Sequence, residues 1–169
     1  MRSFRRHRAR LETVALVCLA IVACESLTEI VAKQNYIATL NGSAVEPDSV
    51  ETNGHGGFTA LLTSDTNVMA YTLNYSDLSS VATGAHLHGP AQDTVAADIL
   101  VDFASLPAGG SGTLTLSASG SAQGSIDLSR AVTPSVSGDS LRRLLQRGLL
   151  YVDVHTVDHS GGEIRGQVR

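Results

Sequence analysis

Apolar and polar residues alternate in short runs along most of this chain, and glycine, serine, asparagine and proline separate the runs. Side chains on a strand alternate faces, so such runs read as half-buried β-strands. Residues 36–40 open the series, and residues 58–62 and 68–75 follow. In the latter, Met69, Tyr71, Leu73 and Tyr75 alternate with Val68, Ala70, Thr72 and Asn74. The turn cluster Ser64-Asp65-Thr66-Asn67 makes these two runs a hairpin. Residues 95–103 place Val95, Ala97, Ile99, Val101 and Phe103 on one face, with Asp98 and Asp102 on the other. Residues 113–117 and 125–128 are shorter runs, and residues 149–155 and 163–168 close the chain. One segment has helical spacing: Leu141, Leu144 and Leu145 follow the N-cap candidates in Ser137-Gly138-Asp139-Ser140, and Gly148 is the natural stop. Arg142, Arg143 and Arg147 form its solvated face. Eight or nine strands with one short helix predict an all-β fold, an antiparallel β-sandwich of immunoglobulin-like kind. Aromatic residues are 4% of the chain and tryptophan is absent, so valine, leucine, isoleucine and alanine must build most of the core.

The N-terminus has a different pattern. Arg2, Arg5, Arg6, Arg8 and Arg10 precede an apolar run over residues 14–23, too short to span a bilayer as a stable helix. This is the pattern of an export signal over residues 1–23. The run ends in Ile21-Val22-Ala23-Cys24, which resembles a bacterial lipobox, so Cys24 is the expected lipidation site. Residues 24–34 then form the lipidated N-terminus and tether, and residues 35–169 the domain. The expected location is a bacterial membrane, facing the periplasm or the cell surface; cleavage near Ala23 without lipid would instead give a secreted protein.

Removing the signal changes the charge. Five of the twelve basic residues leave with it, as does Glu12, so seven basic residues face fifteen acidic ones in the remainder. That balance argues against a nucleic-acid partner. Cys18 and Cys24 are the two cysteines of the chain, so the domain has no disulfide and no thiol nucleophile, and it cannot be a cysteine-ligated zinc module.

The candidate chemistry lies in two histidine-bearing stretches. In Ala85-His86-Leu87-His88-Gly89-Pro90, strand alternation puts His86 and His88 on one face. In Tyr151-Val152-Asp153-Val154-His155-Thr156, it puts Tyr151, Asp153 and His155 together. By the same rule Glu163, Arg165 and Gln167 align against Ile164 and Val168. Two readings follow. His86, His88 and His155 could form a copper or zinc triad, because residues two apart on a strand point the same way. Alternatively His86, His88, Asp153, His155, Glu163 and Arg165 form a structural hydrogen-bonded network that needs no cofactor. His55 and His159 lie in glycine-rich loops and are expected to be exposed.

These stretches, with Leu40-Asn41-Gly42, Glu46-Pro47, Gly57-Phe58-Thr59-Ala60 and Gly162-Glu163-Ile164-Arg165-Gly166-Gln167, resemble the CHRD domain over about residues 35–168. That family is named for chordin, an extracellular antagonist of bone morphogenetic proteins, and also occurs in exported bacterial proteins. The resemblance implies a non-catalytic binding or structural module outside the cytoplasm. Its partners would be the membrane, through the lipid, and an extracytoplasmic ligand or protein. It does not carry chordin's antagonism over, because a shared module does not imply a shared function. The His-x-His pair is also similar to the copper ligands of Cu/Zn superoxide dismutase, but the rest of that ligand set is not found at recognisable spacing. A dismutase-like enzyme is therefore the third reading, behind a binding module and a metal-binding protein. Mass spectrometry of the mature N-terminus tests the anchor: a diacylglyceryl-modified Cys24 is expected, and an unmodified chain starting near Glu25 would contradict it.

Overall fold

The computed structural model describes residues 33–63 and 66–169. The signal, Cys24 and nearly all of the tether, along with Ser64 and Asp65 of the first turn, lie outside the described residues. Strands β1 (Lys33–Asn41), β2 (His55–Thr63) and β3 (Val68–Ser76) come first, followed by β4 (Ala82–His88) and β5 (Ile99–Asp102). After them come β6 (Ser111–Leu114), β7 (Gly120–Asp127) and the short pair β8 (Ala131–Thr133) and β9 (Val136–Ser137). Helix α1 (Gly138–Gln146) precedes β10 (Leu150–Thr156) and β11 (Ile164–Val168).

The all-β expectation with a single short α-helix holds. Nine strands form one antiparallel sheet in the order β5-β4-β10-β11-β1-β2-β3-β7-β6. The sheet curls so that its two ends face each other. Phe103, just beyond β5, packs its ring 4.8 Å from that of Tyr71 on β3 and 6.1 Å from that of Phe58 on β2. The two layers expected of a sandwich are thus the two ends of a single sheet. Strand alternation decides what lines the interior: Met69, Tyr71, Leu73 and Tyr75 are all buried, while Val68, Ala70, Thr72 and Asn74 are exposed. Where β1 meets β11, a side chain at Gly166 would have its Cβ 2.4 Å from the Thr39 carbonyl, so glycine is what lets the two strands approach.

The helix follows its sequence signals. Ser137 caps it by accepting from the Ser140 amide, Leu141 and Leu145 face the core, and Gly148 follows with φ +65°.

The run over residues 95–103 departs from its expected alternation. Pairing with β4 is confined to Ile99–Asp102, and Val95 and Ile99 are exposed. Residues 89–98 instead cross the outer face of β10 and β11 as a strap. Polar side chains of that face hold its backbone: Arg165 Nη2 donates to the Val95 and Gln92 carbonyls (2.9 and 3.4 Å), and Gln167 Nε2 donates to the Ala91 carbonyl (2.9 Å). The Tyr151 hydroxyl accepts from the Ala97 amide at 3.1 Å.

Candidate metal centre

Strand β10 positions the site. Its register sets Asp153 opposite His86 of β4 on one side and opposite Arg165 of β11 on the other. Tyr151 is likewise opposite His88, and His155 is opposite Gly84. Cross-strand partners share a face, so the outer surface of three strands collects His86, His88, Tyr151, Asp153, His155 and Arg165. Gly84 leaves space beside the His86 ring, since a Cβ there would lie 3.1 Å from His86 Nε2.

The three imidazoles converge on one carboxylate. His88 Nε2 is 3.1 Å from Asp153, His155 Nε2 is 3.1 Å from Asp153 Oδ1, and His86 Nδ1 is 3.6 Å from the same oxygen. Asp153 is 6% exposed and His88 is 7% exposed. The far nitrogens of two rings have defined roles. His88 Nδ1 faces the Ala97 carbonyl at 2.9 Å, and His155 Nδ1 faces the Ser160 carbonyl at 2.8 Å. A carbonyl only accepts, so each Nδ1 carries a proton and Nε2 of each ring is the atom turned toward Asp153. His155 Nε2 and His86 Nδ1 are buried without a hydrogen-bond partner among the described residues.

One donor atom from each of His86, His88, Asp153 and His155 lies within 4.8 Å of the others. A tetrahedral ion with bonds of about 2.0–2.1 Å needs donors about 3.4 Å apart, so small side-chain movements fit these four to one ion. Three imidazoles with a carboxylate and no thiolate suit copper(II) or zinc. Backbone carbonyls that hold Nδ1–H are the outer partners such ligands require.

Burial alone would raise the Asp153 pKa, but the three adjacent imidazoles outweigh it and hold the carboxyl below the ordinary range. Burial alone would lower the His155 pKa, but the adjacent Asp153 carboxylate outweighs it and pushes the ring upward. Tyr151 stacks on His88 with centroids 4.7 Å apart and planes 2° from parallel, and the Arg165 guanidinium lies 3.7 Å over the Tyr151 ring.

Four of the six residues expected in a polar network thus meet directly. Arg165 joins them through Tyr151 and the strap. Glu163 does not: it precedes β11 at a bend following Gly162, whose φ is +111°. Its buried carboxylate accepts from Thr52 (2.6 Å), the Ser79 amide (2.7 Å), the Ser79 hydroxyl (2.7 Å) and Thr156 (2.8 Å). Glu163 therefore ties two loops to the end of β10, away from the histidines. His55 is exposed as expected, whereas His159 is half-buried. Asp102, opposite His86 and 4.0 Å from its Nε2, also borders the site; its sequence spacing carried no sign of this. The orienting carbonyls of Ala97 and Ser160 have no sequence signal, since every residue supplies one.

The described residues form a curled all-β fold with a polar outer face on β4, β10 and β11. The CHRD domain model matches residues 36–168, and the chain belongs to the CHRD domain family. Comparisons with curated proteins and with solved structures give no match.

Glu163 yields a pH test. Burial raises its pKa, but the four donors outweigh burial and hold it below the ordinary glutamate range. A depressed pKa stabilises the fold above the unfolded-state value, and that contribution is lost as pH falls through the folded-state value. Chemical denaturation of Glu163→Gln at neutral pH is expected to show a loss of about 1–3 kcal/mol. The gap from wild type should shrink below about pH 4.5; a gap independent of pH would contradict this role.

Proposed function

We propose that the protein is an exported, lipid-anchored, non-catalytic surface module that binds copper(II) or zinc through His86, His88, Asp153 and His155. The observation that carries this reading is the pair of Nε2 atoms on His88 and His155. Backbone carbonyls hold Nδ1–H of both rings, so Nε2 is the atom each ring can offer to an ion, and one donor atom from each of His86, His88, Asp153 and His155 lies within 4.8 Å of the others. A neutral imidazole lone pair facing a carboxylate is repulsive, and a cation between them reverses the sign of the contact. His86 Nδ1, buried and unpartnered among the described residues, supplies the remaining donor.

A second reading has its own support. His88 Nε2 lies within hydrogen-bonding distance of Asp153, and His155 has a raised pKa. Protonated rings would then form an imidazolium–carboxylate network that only holds the face together.

Thermal unfolding with added metal separates the two readings. A ligand at about 100 times its Kd stabilises the folded state by about 2.7 kcal/mol, so zinc or copper(II) should raise the melting temperature by several degrees. A chelator should reverse the rise, and His155→Ala and Asp153→Asn should abolish it. An unchanged melting temperature in wild type, with loss of stability in both variants without metal, would support the network instead.

A further inference from the structure

A cavity of about 200 Å³ adjoins three of the four donors, His88, Asp153 and His155, and is lined also by Tyr151, Arg165 and Glu46. Arg165 is 4% exposed, yet among the described residues its guanidinium makes no salt bridge: Nη2 donates to two strap carbonyls and its face lies over the Tyr151 ring. A buried guanidinium normally faces an anion, because its fork of N–H groups matches two oxygens at once. We infer that the copper(II)-loaded site takes a small carboxylate-type monoanion as a fifth ligand, one end on the metal and the other on Arg165. This rests on the metal reading above.

The charge of the pocket decides when the anion enters. Asp153 and Glu46 line the pocket beside Arg165, and their carboxylates oppose the entry of a free anion. A divalent ion reverses that balance. Binding is therefore ordered by electrostatics, and each ligand strengthens the other by the same factor. The cavity's size selects the ligand class. It admits an ion the size of formate, acetate or bicarbonate and excludes a folded partner's surface. The walls formed by Ala96, Ala97, Gly161 and Gly162 are small and leave this approach open.

Azide provides a spectroscopic probe, because a copper(II)–azide bond adds a charge-transfer band. Titration of azide into the full-length, copper-loaded protein should produce a saturable band, and acetate or bicarbonate should displace it. Arg165→Gln, measured at saturating copper, should weaken azide binding about tenfold. Glu46→Gln should tighten it by about threefold, because an opposing charge is removed. A damaged fold would not tighten binding, so the opposite signs of the two variants separate recognition from instability. Copper binding without any azide band would overturn the co-ligand and leave the metal reading standing. Failure to bind copper would overturn both. Equal azide affinity in wild type and Arg165→Gln would overturn the role of Arg165.

Discussion

The pairing register of β10 is the constraint on which the site depends. It aligns Asp153 with His86 on one neighbour and Arg165 on the other. A slip of one residue would turn Asp153 into the core and Val152 and Val154 out to the polar face. The interior forbids that slip. Leu87, Val152, Val154 and Ile164 are fully buried on the opposite face of the same three strands. Each such side chain is worth about 1.5–3 kcal/mol when taken out of water, so the apolar face holds the polar face in place. The histidine cluster inherits its precision from a core it does not touch.

Much of this was legible from the sequence because strand alternation is a local property. Counting alone puts His86 with His88 on one face of their strand and Asp153 with His155 on one face of theirs; the pairing of β4 with β10 is what makes these one face. The alternation of Met69, Tyr71, Leu73 and Tyr75 is just as direct. Two features escaped because they depend on contacts distant in sequence. Glu163 follows the alternation of β11 on paper, but the bend after Gly162 sends its carboxylate to Thr52 and Ser79, more than eighty residues away. Residues 95–98 have a strand's alternation, but Tyr151 and Arg165 hold their backbone as a strap. In both cases a polar side chain capturing a loop outweighed a local pattern.

The strap connects fold to chemistry. Ala97 gives its carbonyl to His88 Nδ1 and its amide to the Tyr151 hydroxyl, so Tyr151 positions the group that selects the His88 tautomer. Arg165 secures the same strap and stacks on the same tyrosine. Strap, ring stack and metal donors therefore form one connected unit on the outer face. His88, Asp153 and His155 face a small cavity rather than the core.

X-ray absorption at the metal edge of copper- or zinc-loaded full-length protein tests the central claim most directly. The geometry predicts a first shell of three imidazole nitrogens and at least one oxygen at about 2.0–2.1 Å, with the outer-ring scattering that identifies histidine. Loss of one imidazole in His155→Ala would place the ion among these residues. A shell of oxygen alone, or one unchanged by that substitution, would contradict it.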